Sequence, residues 1–199
     1  DKHEGYYLLT VGFLGTVLNQ FLKLLCRIPR PWVLDPDFTI VESARAEATG
    51  YSFPSGHTQN AVGTFGGIAR ATKRHCLRWV CVVIFVLVSF SRMYLGVHTP
   101  LDVGVSFVIA AVLVFAIYPL MRRADRYPRL MAGLLASMVL LSAAYLTFTL
   151  VYPFPPDIDS ANLASGVENG WKLLGATLGI ALAWWLDRQY VRFETKAIW

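Results

Sequence analysis

Charge is scarce in this chain: only 16% of its 199 residues are Asp, Glu, Lys or Arg, against about 25% in a typical soluble domain. Apolar residues make up 55%, which excludes a disordered or collagen-like protein. Three scattered cysteines, Cys26, Cys76 and Cys81, are too few for a disulfide framework or a zinc site. The sequence therefore predicts an integral membrane protein.

Apolar segments recur along the whole chain. A spanning helix needs roughly 20 mostly apolar residues. Six candidates lie at 5–25, 57–71, 77–97, 100–120, 130–151 and 169–187. The second is the least apolar, which suits a helix buried among others. The sequence thus predicts an all-α fold, a polytopic transmembrane helix bundle with about six spans.

The limits of this bundle also follow from the sequence. We expect a single transmembrane domain over 1–199, with long loops near 26–55 and 152–168 where turn-forming residues concentrate. Gly63-x-x-x-Gly67 and Gly175-x-x-x-Gly179 favour close helix packing. Because the chain begins at Asp1 rather than Met, we expect a signal or an earlier span before it.

Basic residues are divided unevenly between the two faces that alternating spans create. One face holds twelve basic and five acidic residues, a net charge of +7, and the other holds six basic and eight acidic, a net charge of −2. The positive-inside rule assigns the first face to the cytoplasm. Its charged residues are Lys2, Arg70, Lys73, Arg74, Arg78, Arg122, Arg123, Arg126, Arg129, Arg188, Arg192, Lys196, Asp1, Glu4, Asp125, Asp187 and Glu194. The basic excess is a topology signal, and no nucleic-acid partner is expected.

Polar residues on the opposite face fall in three short clusters. These are Lys23-x6-Arg30-Pro31, Pro54-Ser55-Gly56-His57 and Ser91-Arg92-x5-His98-x3-Asp102. Taken alone, most have an ordinary structural interpretation: a helix-end lysine that reaches water, a proline turn, an N-cap, or interfacial histidines. Arg92 is the exception, because it interrupts an apolar stretch and an ionisable residue there indicates function.

Taken together, the clusters favour an anion site. A helix beginning at Ser55 presents free backbone N–H groups and its positive dipole end to an anion. The cations Lys23, Arg30 and Arg92 could converge on the same anion, since arginine binds phosphate oxygens in pairs.

The two histidines add chemistry to this anion site. A histidine beside a bound phosphate can act as nucleophile or general acid. On a helix that begins near Thr99, the Asp102 carboxylate could reach the ring of His98. That contact would fix the tautomer of the ring and stabilise its charged form.

These three motifs resemble the signature of the type 2 phosphatidic acid phosphatase superfamily. That family includes membrane lipid phosphatases, soluble bacterial acid phosphatases and vanadium haloperoxidases. Every motif position matches in the family's order over residues 23–102, and the multi-span layout resembles the membrane branch. Two segments follow the third motif where the family usually has one, and fewer precede the first.

The resemblance implies a role for each motif residue. His98 would attack phosphorus and form a phosphohistidine, Asp102 would hold and polarise His98, and His57 would protonate the leaving oxygen and later activate water. The phosphoryl oxygens would be bound by Lys23, Arg30, Arg92, Ser55 and the backbone N–H of Gly56. The family needs no metal or other cofactor, in agreement with the lack of a carboxylate cluster for magnesium.

Four charged loop residues match no family motif. Arg27, Glu42, Arg45 and Glu47 are interpreted as solvated loop charges, with contact to substrate as the alternative.

The implied substrate is a lipid phosphate held at the extracytoplasmic surface of a bacterial cytoplasmic membrane. Family members act on phosphatidate, lysophosphatidate, phosphatidylglycerophosphate, sphingoid phosphates or isoprenyl diphosphates, and we favour undecaprenyl diphosphate or phosphatidylglycerol phosphate. The reaction would be a phosphoric ester or diphosphate hydrolysis. Two alternatives stay open: a phosphotransferase with another acceptor, and a non-enzymatic transport or structural protein.

Overall fold

The computed structural model describes residues 2–46, 48–124 and 126–193. Its helices are α1 (Lys2–Cys26), α2 (Pro31–Leu34), α3 (Glu42–Arg45), α4 (Gly56–Ala61), α5 (Gly67–Ala71), α6 (His75–Tyr94), α7 (Pro100–Ala124), α8 (Pro128–Val151) and α9 (Ser160–Leu186). A π-helical turn, Val62–Gly66, joins α4 to α5, and a second, Asp187–Val191, follows α9. These described ranges contain no strand, and the predicted all-α fold is confirmed. Five residues counted above as charges, Asp1, Glu47, Asp125, Glu194 and Lys196, lie outside them.

All six predicted segments are helical. Among the described residues, four stretches are long and apolar enough to cross a membrane: Lys2–Leu34, which begins with α1, and the helices α6, α7 and α8. The α4–α5 stretch over 56–71 covers only about 24 Å at 1.5 Å per residue, less than the roughly 30 Å of hydrocarbon. Helix α9 is 27 residues long, and its first half carries the exposed pair Glu168 and Lys172.

Helix α1 lies between the other helices and packs against α4, α7, α8 and α9. Near its beginning, Tyr7 and Leu14 are buried in a cluster with Val114 of α7 and Met138 of α8. The Tyr7 hydroxyl also donates a hydrogen bond to the Val114 carbonyl at 2.9 Å. Lys23, near the other end of α1, is therefore carried by a helix that is supported along its length.

Capping interactions set where the helices of the second and third motifs begin. The Ser55 side chain accepts from the Thr58 N–H at the start of α4. At the start of α7, Asp102 Oδ2 accepts from the Thr99 N–H at 2.8 Å, and Thr99 Oγ1 accepts from the Asp102 N–H at 3.3 Å. This reciprocal pair is a capping box. The two helix starts predicted from the motifs are confirmed.

The loop predicted over 152–168 is wrong in its second half, because α9 begins at Ser160. The Asp159 carboxylate caps this helix by accepting from the Asn162 N–H at 2.7 Å. The following residues are small and polar because they pack closely rather than because they form a loop. A Cβ placed on Gly166 would lie 2.7 Å from a methyl group of Leu24, so this glycine lets α9 approach α1.

The two predicted glycine pairs have different outcomes. A Cβ on Gly67 would meet a methyl of Leu8 at 2.6 Å, and one on Gly63 would lie 3.4 Å from Val11, so this pair lies against α1 as expected. Gly175 and Gly179 have nothing within 4 Å of an added Cβ. Close packing at the second pair is therefore wrong, since the spacing of two glycines does not specify which face of a helix is covered.

Candidate active site

A cavity of about 480 Å³ opens where the end of α1, the start of α4 and the end of α6 meet. It is lined by residues from all three sequence motifs. They are Lys23, Arg30, Gly56, His57, Arg92 and His98. The structure thus brings six of the eight predicted site residues to one cavity, although they span 76 positions of the chain.

The two other predicted residues lie behind the cavity wall. Ser55 is fully buried, and its N–H donates to the Asp102 carbonyl at 3.2 Å. Because its hydroxyl oxygen caps α4, contact of this side chain with phosphate stays a prediction. Asp102 is also buried and faces the ring of His98.

Arg30 is held by the backbone of two loops. Its Nε donates to the Gly50 carbonyl at 3.1 Å, its Nη2 to the Thr49 carbonyl at 2.8 Å and its Nη1 to the Val97 carbonyl at 2.9 Å. Only 7% of the residue is exposed. These contacts fix the guanidinium plane beside His98.

His98 lies between a cation and a carboxylate. Its Nε2 is 3.0 Å from Arg30 Nη1, and its Nδ1 is 3.4 Å from Asp102 Oδ2. Because a guanidinium only donates, Nε2 must be the acceptor, which places the ring proton on Nδ1, facing Asp102. The second contact is longer than the 2.7–3.2 Å usual for an N–H···O bond, and catalytic hydrogen bonds commonly shorten when substrate binds.

Burial favours the neutral form of His98. His98 lies in the turn between α6 and α7, outside both spanning helices. Its pKa is lowered to about 4, chiefly by burial. Asp102 opposes this shift of the pKa, while Arg30 and Lys23 add to it. A neutral ring with a lone pair on Nε2 is the form that can attack an electrophile.

The remaining cavity residues come from helix ends. The Lys23 ammonium donates to the Tyr51 carbonyl. On the last turn of α6, Arg92 Nε and Nη2 both lie 3.2 Å from Ser91 Oγ. His57 is exposed on the first turn of α4, where helix N–H groups point outward. Cations from three segments therefore face one helix N-terminus, an arrangement that attracts a multiply charged anion.

Several polar residues near the site were missed by the sequence analysis. Ser52 Oγ donates to Asp102 Oδ2 at 2.6 Å, and Asn19 Nδ2 donates to the Pro54 carbonyl at 3.3 Å. Gln20 and Asn60 line the cavity. Asn19 precedes Lys23 by four positions and so shares its helix face, a signal that was available. Ser52 carried no such periodic signal because it lies in a loop.

The unmatched loop charges are placed as follows. Arg45 pairs with Glu42 at 3.0 Å, and both side chains are exposed, as expected for solvated charges. Arg27 lines a second cavity, of about 510 Å³, together with Asp157 and Asp159. Arg30 borders both cavities. Glu47 lies outside the described residues.

The described part of the chain contains no group of three His, Cys, Asp or Glu side chains that could hold a metal ion. The cations and histidines above are the groups available for chemistry at this cavity. Independence of metal stays a prediction.

Fold and site together define the class: an integral membrane protein of the all-α type, with histidines and cations gathered around one cavity at a helix N-terminus. A family model described as the PAP2 superfamily matches residues 4–126. The chain belongs to this superfamily.

Three named relatives are identical to this chain at about a third of the aligned positions. Undecaprenyl-diphosphatase BcrC of Bacillus subtilis (strain 168) is 35% identical over 117 residues, which cover 59% of this chain and 57% of the relative. Phosphatidylglycerophosphatase B of the same organism is 31% identical over 125 residues, which cover 57% of this chain and 56% of the relative. Undecaprenyl-diphosphatase of Sulfolobus acidocaldarius is 33% identical over 98 residues, with 48% and 45% covered. This chain therefore spans about half the length of these relatives, and no solved structure matches it.

Proposed function

We propose that this chain carries the active site of an integral membrane phosphatase that hydrolyses a lipid phosphate through a phosphohistidine. One observation carries the proposal: a neutral His98, whose Nε2 lies 3.0 Å from Arg30 Nη1, lines the same cavity as Lys23, Arg92 and His57. This arrangement supplies a nucleophile, a cationic cradle and a second proton-transfer group. Positioning and charge neutralisation are what phosphoryl transfer requires of a protein.

The first half of the reaction forms the phosphohistidine. The phosphoryl oxygens bind Lys23, Arg30, Arg92 and the N–H groups at the start of α4. The Arg30 N–H that donates to His98 Nε2 turns to a phosphoryl oxygen and frees the Nε2 lone pair. This lone pair attacks phosphorus and forms an N–P bond while the bond to the leaving oxygen breaks. His57 donates a proton to that oxygen.

The second half releases phosphate. His57, now neutral, takes a proton from a water molecule as the water oxygen attacks phosphorus. The N–P bond breaks, its electron pair returns to His98 Nε2, and inorganic phosphate leaves. Asp102 faces Nδ1 throughout and stabilises the positive charge that the ring carries as phosphohistidine.

The names of the relatives and the place of the cavity support a proposal for the substrate class. Undecaprenyl-diphosphatase and phosphatidylglycerophosphatase are the names of the matched proteins, and we propose a lipid diphosphate or monophosphate of this kind for this chain. The cavity lies at one end of the bundle, and basic residues such as Arg122 and Arg123 lie at the other end of α7. By the positive-inside rule the site faces the extracytoplasmic side, as proposed for a bacterial cytoplasmic membrane.

Phosphate release from purified protein in detergent tests the proposal. The panel contains undecaprenyl diphosphate, phosphatidylglycerol phosphate and phosphatidate, and adding a second lipid or sugar acceptor detects phosphotransfer. We expect His98→Ala to abolish release, vanadate to inhibit the wild type and EDTA to leave it active. His75→Ala is the matched control, because His75 is an exposed histidine at the far end of α6.

Two results contradict the mechanism. Full activity of His98→Ala would exclude a phosphohistidine at that residue, and loss of wild-type activity in EDTA would require a metal. If the wild type releases phosphate from no lipid in the panel while folding normally, the proposed activity is wrong.

A further inference from the structure

The carboxylate of Asp102, which faces His98, is held by a side chain that lies outside the three sequence motifs. Ser52 Oγ donates a 2.6 Å hydrogen bond to Asp102 Oδ2, and both residues are 1% exposed. We infer that Ser52 is a positioning residue that sets the Asp102 carboxylate for its contact with His98. This inference rests on the proposed function and adds to it a residue with no assigned role.

The hydrogen bonds of Asp102 show what determines its position. The Oδ2 atom accepts from Ser52 Oγ at 2.6 Å and from the Thr99 N–H at 2.8 Å. Its contact with His98 Nδ1 is longer, at 3.4 Å. The carboxylate is therefore oriented by Ser52 and Thr99, and the histidine meets a group that is already in place.

Ser52 is suited to this task because its own backbone is fixed. Its N–H donates to the Ile28 carbonyl at 2.9 Å, which ties it to the loop after α1. Three residues later, the Ser55 N–H donates to the Asp102 carbonyl. The loop before α4 is thus bound to α7 through both the side chain and the backbone of Asp102.

Loss of the Ser52 hydrogen bond should affect turnover more than substrate binding. Ser52 is absent from the cavity lining, so its hydroxyl does not touch phosphate there. A hydroxyl that donates to an ionised carboxylate forms a strong hydrogen bond. Without it, Asp102 can rotate away from His98, and the charged ring formed during phosphoryl transfer loses its partner.

The test uses a graded series at Ser52 and a matched control at Ser106. Ser52→Cys keeps a weak donor of similar size, and Ser52→Ala removes the donor. Ser106 is also fully buried and donates to Asp102, but to its backbone carbonyl, at 2.8 Å. Ser106→Ala therefore removes an equivalent serine contact from the same residue without touching the carboxylate.

On the lipid phosphate that the wild type hydrolyses fastest, we expect kcat to decrease from the wild type to Ser52→Cys and further to Ser52→Ala. The loss in Ser52→Ala is roughly 10- to 100-fold, the size expected for a hydrogen bond to an ionised group. The KM should change less than twofold, and Ser106→Ala should keep wild-type kcat. A kcat in Ser52→Ala equal to that in Ser106→Ala, at similar thermal midpoints, overturns the inference.

A second readout does not depend on activity. The chain has four histidines, so ring ¹⁵N spectra of histidine-labelled protein can be assigned with His98→Gln. In Ser52→Ala and Ser52→Cys the Nδ1 signal of His98 should shift because its contact with Asp102 weakens. The tautomer is kept because Arg30 still donates to Nε2, while Ser106→Ala leaves the His98 signals unchanged. Unchanged His98 signals in both Ser52 variants overturn the inference, whereas a wild type inactive on every lipid refutes only the proposed activity.

Discussion

Replacing Arg30 by lysine separates the charge of this residue from its shape. Both side chains are cationic, but only the guanidinium offers several donors in one plane. In the structure three different nitrogens of Arg30 donate to the carbonyls of Thr49, Gly50 and Val97. A lysine ammonium at the end of a flexible chain cannot reach all three, so the loop that covers the cavity loses part of its support.

The magnitude follows from the number of contacts. If lysine keeps one of the three hydrogen bonds, two are lost, and each contributes about 0.5–1.5 kcal/mol net. The free energy of unfolding should therefore fall by about 1–3 kcal/mol. In the proposed mechanism Arg30 also binds a phosphoryl oxygen, and lysine at this position would lose that hydrogen bond. We therefore expect kcat/KM to fall roughly 10- to 100-fold, because one hydrogen bond to a charged group contributes about 1.5–3 kcal/mol.

Thermal unfolding and phosphate release in the same detergent measure the two effects of Arg30→Lys. Arg45→Lys is the matched control, since Arg45 lies in the same loop and makes an exposed pair with Glu42 at 3.0 Å. Such a pair contributes about 0–1 kcal/mol, so this variant should match the wild type. Wild-type kcat/KM in Arg30→Lys, together with a thermal midpoint equal to that of Arg45→Lys, would refute this role of Arg30.

Three further predictions concern pH and local structure. Burial lowers the pKa of His98 from 6.5 to about 4, so between these pH values the unfolded chain binds a proton that the folded site excludes. The stability of the fold should therefore decrease as the pH drops from 6.5 towards 4. The thermal midpoint of His98→Gln should decrease less over the same range. Gly96 has φ +73°, and a Cβ added there would lie 2.6 Å from a loop carbonyl. Gly96→Ala should therefore lower the free energy of unfolding in denaturant by more than about 1 kcal/mol. Gly104→Ala, in open space on α7, should raise it slightly. Asp159→Ala removes the α9 cap and should lower the unfolding free energy by about 1 kcal/mol.

The helical fold could be predicted because α6, α7 and α8 are long and apolar enough to cross a membrane. The sequence did not reveal where α9 begins, because residues 160–170 are polar and small, as in a loop. Their role is packing: Gly166 meets Leu24, and the Tyr145 hydroxyl donates to the Gly166 carbonyl at 3.0 Å. Such contacts join elements distant in sequence, and local patterns carry no information about them.

The candidate site was predictable for residues that line the cavity and less so for those behind them. Lys23, Arg30 and His98 belong to charged or ionisable types that are rare in an apolar chain. Ser52 and Asn19 support the site through single hydrogen bonds to Asp102 and Pro54. Serine and asparagine are common in loops and helices for many reasons, so their partners emerge only from the folded chain.

The contact of Gly166 with Leu24 separates the candidate site from part of its structural support. The side chains proposed to bind phosphate lie between residues 23 and 102, and α8 and α9 lie beyond residue 126, where the family match ends. Yet Gly166 of α9 packs against Leu24, the residue next to Lys23. A chimera that exchanged α8 and α9 for those of another protein would keep every chemical group of the site and still change how firmly the lysine is held. The proposed chemical groups and part of their mechanical support therefore lie in different parts of the chain.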